Sequence, residues 1–452
     1  MTILPEESIY VEVNRGMLRH CTPQRNLLYG ALFYLAVLLL APVTIEAEFD
    51  FSAASFVFIS CVAFIAGASI IPVPSDPMEK SIRYSGAQIK RLVMFFFVFS
   101  IICTLAKFYD TFFLRGLSIS QDILENRDAL GGGSGNPVAI IAAFFMYAPY
   151  ILLLLLFSFG QYFTVFEKSL TWLFFGIQFF YTLLMGGRSG ILFPCIFVGL
   201  TLIYFRKVRL RFNLKTLAAI LVILVVGCTF SGKIYTERTL SLNPSAVMVR
   251  MTRLSGAAAT VPSNDTVYEL ICDMEENSLP YYFLLGYVNI CQYYTHGFFE
   301  FFVQKLFADH VLPEHTGGTC TFGVYIKFFD RIFGTDHANM DKYLHSFAHP
   351  GIFNSVFGPV YTDFGWFGII VFFFWGLIQK NIWNAVYRTG NIILLTWVFL
   401  GGTVIFLFPL VNLFYGVLCY GFTFVVIMHF LLPRQQVAAE GTENAMPAEL
   451  AH

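Results

Sequence analysis

The sequence is poor in charged residues. Asp, Glu, Lys and Arg make up only 13% of its 452 residues, whereas 57% are hydrophobic and the mean hydropathy is positive. Soluble domains are about 25% charged, so this composition excludes an ordinary soluble fold and indicates a protein that faces lipid. The formal net charge of −1 also lacks the basic excess that nucleic-acid binding requires, so no nucleic-acid partner is expected.

Two sequence patterns are also absent. The nine cysteines contain no C-x-x-C pair, and most of them lie in apolar segments, where cysteine acts as a small hydrophobic residue. Cys272, Cys291 and Cys320 share one long polar segment, in which a single disulfide could form and leave one thiol over. No internal repeat and no paired broken helices are found, which disfavours a transporter.

Long apolar runs dominate what is present. A bilayer core of about 30 Å requires roughly 20 apolar residues per helix. Ten such runs predict membrane-spanning helices, at 27–45, 51–71, 92–114, 137–159, 169–186, 190–205, 214–232, 356–378, 391–408 and 412–432. Lys and Arg concentrate in alternate connections, sixteen against three in the short loops on the other side, so the positive-inside rule predicts that both termini are cytoplasmic.

These runs divide the chain into five parts. Residues 1–26 form a cytoplasmic N-terminus, 27–232 carry spans one to seven, 233–355 form a large outer loop with amphipathic helices, 356–432 carry spans eight to ten, and 433–452 form a disordered cytoplasmic tail. The outer loop is the largest polar piece of the chain. Chemistry outside the membrane is therefore expected in this loop.

One polar stripe lies within the outer loop. Asn289, Gln292, His296 and Glu300 recur at steps of three and four, which predicts a helix over 284–307 with these side chains on one face. The usual behaviour of surface helices favours a solvated edge. The alternative interpretation is that the stripe lines a sugar-binding cavity.

A second row comprises His337, Asp341, His345 and His349, each four residues after the last. A metal site usually needs convergent ligands from more than one element, and Pro350 biases His349 away from helical geometry. We therefore expect no metal and no other cofactor. His349 is predicted to turn toward the start of the eighth span.

Arg188 stands in a tight Gly-Gly-Arg-Ser-Gly turn at 186–190, close to the outer membrane surface. It either reaches water as an interfacial anchor or binds an anion, since the glycines let backbone approach and a helix begins there. A lipid diphosphate would lie at this depth. Binding of a diphosphate without metal would need further outer arginines, and the candidates include Arg127, Arg250 and Arg253.

Lys107 and Asp110 lie three residues apart near the outer end of the third span. Residues at this spacing are neighbours on a helix surface, and opposite charges at such positions attract. Mutual pairing within the helix would explain both residues. We therefore predict an ion pair and assign them no chemistry.

The entry to the eighth span carries a more specific pattern. His-Pro-Gly-Ile-Phe-Asn at 349–354 is followed by Tyr-Thr-Asp-Phe-Gly-Trp-Phe-Gly at 361–368. With the Arg-Ser turn at 188, this resembles the Wzy-type O-antigen polymerases, the oligosaccharide repeat-unit polymerases. The resemblance implies an all-α polytopic membrane protein of about 10, and up to 12, transmembrane helices with a large periplasmic loop. That is the C-type glycosyltransferase fold shared by these polymerases and O-antigen ligases.

The resemblance also implies an activity. It is the polymerisation of undecaprenyl-diphosphate-linked oligosaccharide repeat units at the periplasmic face of the bacterial inner membrane, without metal. His349 is then the first proton acceptor and Asp363 the second, although Asp363 can instead be a structural cap. Asn354, Tyr361 and the arginines are then the expected substrate contacts. A chain-length regulator protein is a further expected partner. The alternatives are an O-antigen ligase and a non-enzymatic flippase for the lipid-linked unit.

Overall fold

The computed structural model describes residues 9–10, 13–74, 82–117, 136–184, 189–207, 213–240, 260–312, 314–335, 355–409, 417–432 and 435–436. Almost all of these residues are helical. The α-helices are α1 (Arg15–His20), α2 (Pro23–Leu40), α3 (Phe51–Ile70), α4 (Gly86–Phe108), α5 (Pro137–Phe144), α6 (Ala148–Phe159), α7 (Val165–Leu184), α8 (Ser189–Tyr204), α9 (Leu214–Leu240), α10 (Asp265–Asp273), α11 (Leu279–His310), α12 (Gly323–Phe333), α13 (Phe357–Phe364), α14 (Gly368–Thr389), α15 (Ile392–Phe406) and α16 (Val417–Leu431).

Short non-α turns extend three of these helices. A π-helical turn, Tyr109–Leu114, follows α4, and 3-10 turns, Gly160–Tyr162 and Gly365–Phe367, follow α6 and α13. With these turns included, four helical segments are long and apolar enough to cross a membrane: Phe51–Ile70, Gly86–Leu114, Pro137–Tyr162 and Phe357–Thr389. Each of the ten predicted runs contains a helix, and the described residues are compatible with the predicted class of helical membrane protein.

Several helices begin where side chains satisfy the first backbone N–H groups. Ser85 and Gln88 form a reciprocal capping box at the start of α4. Asp50 caps α3 and accepts a hydrogen bond from the backbone N–H of Ser52 at 2.7 Å. At α11, Ser278 caps the helix and proline occupies its first turn. These local signals fix the helix starts that position the site described below.

Glycines let two helix pairs approach backbone to backbone. A Cβ atom at Gly67 of α3 would meet the carbonyl oxygen of Phe373 in α14, and one at Gly232 of α9 would meet that of Tyr282 in α11. Close crossings at small residues are typical of helices that associate within membranes. Any side chain larger than hydrogen at Gly67 or Gly232 would push these helices apart.

Three short strands form one antiparallel sheet, in the order β1 (Ile9–Tyr10), β2 (Ile82–Tyr84) and β3 (Gln435–Gln436). β3 lies within the tail predicted to be disordered, and the remainder of that tail falls outside the described residues. The sheet thus joins the N-terminal segment, the connection between α3 and α4, and the start of the C-terminal tail.

Candidate functional site

Four polar side chains from three helices meet beside the Tyr-Thr-Asp-Phe-Gly segment of α13. Lys305 Nζ lies 2.6 Å from Asp309 Oδ2 and 3.4 Å from Asp50 Oδ2. The hydroxyl of Tyr361 donates to Asp309 Oδ1 at 2.8 Å. The same ammonium lies 5.3 Å from the centroid of the Tyr361 ring. We refer to Asp50, Lys305, Asp309 and Tyr361 as the Lys305 network.

The sequence explains how the Lys305 network is assembled. Lys305 and Asp309 are four residues apart in α11, so they lie on one face of the helix. Asp50 uses one oxygen as the N-cap of α3, and its other oxygen points to Lys305. Tyr361 is carried by α13, which packs on α11. The network therefore depends on the packing of α3, α11 and α13.

Burial and charge are unequal across the Lys305 network. The Lys305 side chain is 6% exposed, whereas those of Asp309 and Asp50 are 32% and 30% exposed. A buried ammonium is stable only when paired, and both carboxylates supply that pairing. Two carboxylates against one lysine leave one negative charge in excess at the accessible edge. Such an edge can accept hydrogen bonds from the hydroxyl groups of a ligand.

Aromatic rings surround Tyr361 on several sides. Its ring centroid lies 5.0 Å from that of Phe56, 5.9 Å from Phe301 and 6.1 Å from His315, all in edge-to-face geometry. Such contacts hold a ring in one orientation. The phenol hydroxyl is therefore held against Asp309 by packing as well as by hydrogen bonding.

Asp363, two residues after Tyr361, closes the loop at 314–322. Its carboxylate accepts a hydrogen bond from the Thr316 hydroxyl and bonds from the backbone N–H groups of Cys320, at 2.9 Å, and Thr321, at 2.5 Å. The side chain is buried, with 1% of Asp363 exposed. Three donors and full burial favour the structural interpretation of Asp363 over proton transfer, and the element it caps is this loop.

Gly365 has a specific requirement in the same segment. Its φ is +54°, and an added Cβ would lie 2.5 Å from His315 Nε2. His315 in turn places Nδ1 3.2 Å from the carbonyl oxygen of Thr362. The Asp-Phe-Gly residues at 363–365 thus pack against the loop at 314–322, and only glycine fits at position 365.

Cys320 lies inside this closed loop. Burial, and then the negative charge of Asp363, raise the pKa of its thiol to about 12. Cys272, Cys291 and Cys320 are all free thiols, so the disulfide considered from the sequence is not formed. Cys320 is therefore a buried, protonated thiol, and its reactivity should depend on whether the loop is closed.

Most of the predicted site residues lie outside the described residues. These are the proton acceptor and the amide, His349 and Asn354, and the four arginines, Arg127, Arg188, Arg250 and Arg253. Their assignments remain predictions. Tyr361 and Asp363 are described and share α13, but they contact different partners: Tyr361 bonds to Asp309 and Asp363 to the loop at 314–322.

The predicted helix over 284–307 is confirmed as part of α11, but its polar stripe is not a solvated edge. Gln292, His296 and Glu300 are 2%, 1% and 1% exposed. Gln292 donates to the Val261 carbonyl at 3.0 Å, and α11 packs against α2, α3, α9 and α13. The solvated interpretation is wrong because α11 has neighbours on several sides, which periodicity alone does not reveal.

The predicted ion pair between Lys107 and Asp110 is also wrong. Asp110 instead binds Arg115, whose Nε lies 3.0 Å from Asp110 Oδ2, and Asn136, whose amide lies 2.8 Å from Oδ1. Lys107 Nζ donates to Gln178 Oε1 at 2.8 Å. The two opposite charges therefore have separate partners.

Asp50, Lys305 and Asp309 were missed by the sequence reasoning. Lys305 and Asp309 do not continue the spacing of the α11 stripe, since steps of three or four residues beyond Glu300 reach Val303 or Gln304 instead. Asp50 carried an N-cap signal before an apolar run. Nothing local indicated that it would meet Lys305.

No group of three or more His, Cys, Asp or Glu side chains comes together as a metal site within the described ranges. The row from His337 to His349 lies outside those ranges, so the expectation of no metal remains a prediction. Comparisons with protein-family models, with curated proteins and with solved structures found no match for this chain.

Proposed function

We propose that the protein is an O-antigen-type polymerase that joins undecaprenyl-diphosphate-linked oligosaccharide repeat units. In this proposal about ten helices span the bacterial inner membrane in a C-type glycosyltransferase architecture, and the active site faces the periplasm. One observation supports it above the others. The segment at 361–368, through which the sequence resembles these polymerases, contributes Tyr361 to the Lys305 network. The carboxylates of that network are 32% and 30% exposed, and Asp50 directly precedes the candidate span Phe51–Ile70.

The reaction assigns separate tasks to the proposed groups. A sugar hydroxyl of the acceptor unit loses its proton to His349 and attacks the anomeric carbon of the donor unit. The bond between that carbon and the diphosphate breaks, and undecaprenyl diphosphate leaves. Arg188, with Arg127, Arg250 and Arg253, neutralises the charge on the leaving diphosphate.

The Lys305 network is suited to holding the acceptor sugar. Asp309 and Asp50 present carboxylate oxygens that can accept hydrogen bonds from sugar hydroxyl groups, while Lys305 and Tyr361 keep Asp309 in place. Asp363 is left with a structural role, because its oxygens already accept three hydrogen bonds. Asn354 remains a proposed substrate contact.

The test is incubation of the purified protein with a lipid-diphosphate-linked repeat unit, with products separated by size. A ladder of polymers is expected, and activity should survive chelation of divalent metals. Transfer only to lipid A core would indicate a ligase instead. Substrate translocation without any product would indicate a flippase and would refute the proposal.

Two variants and a control sharpen this assay. Asp309→Asn should lower the rate about tenfold or more, since it weakens a charge-assisted hydrogen bond. His349→Ala should cost roughly 100-fold to 10,000-fold, the usual contribution of a general base. Glu314→Gln changes an exposed carboxylate five residues from Asp309 and should leave the rate unchanged. Equal rates for Asp309→Asn and Glu314→Gln would remove the network from the site.

A further inference from the structure

A lysine lies at the far end of a candidate membrane span. The segment Gly86–Leu114 begins with the capping box of Ser85, and Lys107 is its twenty-second residue. At 1.5 Å per residue this places Lys107 about 30 Å along the helix, a distance equal to the thickness of a bilayer core. A lysine at the end of a span usually extends its ammonium group to water at the membrane surface.

The ammonium of Lys107 is turned toward a neighbouring helix. Its Nζ donates to Gln178 Oε1 at 2.8 Å and lies 4.8 Å from the ring centroid of Tyr181, and both residues belong to α7. Gln178 is 5% exposed and Tyr181 is 3% exposed. A lysine that only reached for water at the membrane surface would extend away from such buried partners. Its direction therefore points to a site between α4 and α7.

The π-helical turn explains why Asp110 does not neutralise Lys107. The backbone N–H of Arg115 bonds to the carbonyl oxygen of Asp110, five residues earlier, at 3.0 Å. This wide turn brings residues five apart onto one face, so Arg115 Nε reaches both oxygens of Asp110, at 3.1 and 3.0 Å. Asn136 adds a third donor to the same carboxylate.

The two opposite charges at this end of α4 have different kinds of partner within the part of the chain that the structure describes. Asp110 is matched by Arg115, while Lys107 has no carboxylate within ion-pair distance among the residues that the structure describes. The amide of Gln178 and the face of Tyr181 lower the cost of the ammonium but supply no full negative charge. Among the described residues, the partners of the Lys107 ammonium group between α4 and α7 are therefore uncharged.

We propose that Lys107, beside the Gln178 and Tyr181 side chains of α7, binds a phosphate-type anion. The natural source is the diphosphate of a polyprenyl lipid in the outer leaflet, because the site lies at the end of a span, where such a headgroup lies. The anion site stands without the proposed function, and only the choice of a polyprenyl lipid rests on it.

The test measures binding without turnover. The full chain is reconstituted in phosphatidylcholine nanodiscs and titrated with a short-chain polyprenyl diphosphate, with the polyprenol of the same length, and with inorganic diphosphate. Lys107→Met should weaken binding of the polyprenyl diphosphate about 10-fold to 100-fold, the contribution of one charge-assisted hydrogen bond. Lys107→Arg should retain most of the affinity.

A matched control lies on the same helix. Lys90 near the start of α4 is paired with Glu167 at 2.6 Å, so Lys90→Met removes a lysine whose charge is already neutralised. It should leave binding unchanged, and the melting temperature of each variant shows that it is folded. If inorganic diphosphate also binds and this binding requires Lys107, the anion site is supported and its ligand is a free anion rather than a lipid headgroup.

Two results would overturn the inference. One is equal affinity of the native protein and Lys107→Met for the polyprenyl diphosphate. The other is equal affinity of the native protein for polyprenol and polyprenyl diphosphate. A native protein that binds through Lys107 but makes no polymer would refute the proposed function while leaving the anion site intact.

Discussion

Tyr361 and Asp363 both lie in α13, but they have different roles because their side chains point in different directions. Tyr361 bonds to Asp309 of α11, and Asp363 bonds to the loop at 314–322. The carboxylate of Asp363 was a reasonable second choice for a proton acceptor by residue type alone. Its three hydrogen-bond donors and its burial support a role in loop closure.

Loop closure can be tested through the thiol beside Asp363. Because burial and this carboxylate raise the pKa of Cys320 to about 12, little thiolate exists at neutral pH. In a Cys272→Ser background, Cys320 should resist maleimide at pH 7.5. Asp363→Asn should expose it and speed its labelling by about tenfold or more, since the loop loses an acceptor and the thiol loses a neighbouring negative charge.

Thr316→Val is a milder change in the same loop, because it removes the hydroxyl that contacts Asp363 and Cys320 Sγ but keeps both backbone hydrogen bonds to Asp363. It should change labelling much less than Asp363→Asn. Labelling would be followed by mass spectrometry of the Cys320 peptide. Rapid modification of Cys320 in the native protein would contradict the closed loop.

At the scale of elements, α4 and α7 are joined at two levels. Lys90 pairs with Glu167 at one end, and Lys107 bonds to Gln178 toward the other. Glu167 also accepts the backbone N–H of Thr164 at 2.7 Å, which caps the start of α7. The ion pair therefore couples a helix cap to a contact between two helices.

This pairing predicts a pH dependence of stability. Burial alone would raise the pKa of Glu167, but hydrogen bonds from Lys90 and Thr164 outweigh it and hold the pKa below its usual value. A lowered pKa in the folded state gives stability that is present above the usual Glu value of about 4.3 and is lost as the pH falls through the lowered value. Glu167→Gln should lower the melting temperature at pH 7 by on the order of 1–2 °C.

The difference between Glu167→Gln and the native protein should disappear in acid, where the native carboxyl is also protonated. Lys168→Gln alters the adjacent exposed lysine, for which the structure gives no ion pair, and should not change the melting temperature. Thermal unfolding in detergent at several pH values measures both. A difference that persisted unchanged at low pH would show that charge is not its origin.

At the scale of the whole molecule, contacts between connections agree with the division of these connections between two sides that the charge pattern predicts. The sheet joins three segments that the charge pattern assigns to one side of the membrane. On the other side, Val43 pairs with Ser263 in a β-bridge, and Asp50 meets Lys305. Segments assigned to the same side thus contact one another in each case.

This agreement leads to a topology prediction. Reporter domains fused after Asn136 and near Asp265 should register outside, and those after Arg211 and Arg434 should register in the cytoplasm. Reporters active only on one side of the membrane, such as alkaline phosphatase and a fluorescent protein, measure this directly. A cytoplasmic signal near Asp265 would contradict the orientation, the outer location of the Lys305 network and the proposed function.

Apolar run length and periodicity were sufficient to predict a helical membrane protein and most helix positions, because both are properties of neighbouring residues along the chain. The helix at 284–307 is a local feature of this kind. Partner choice was decided only by the tertiary structure. The π-helical turn places Asp110 beside Arg115, and Lys107 bonds to Gln178 instead. Helix packing buries the polar stripe of α11 and brings Asp50 next to Lys305. Contacts between residues more than 250 positions apart, such as Asp50 and Lys305, depend on how helices are arranged, which local periodicity does not encode.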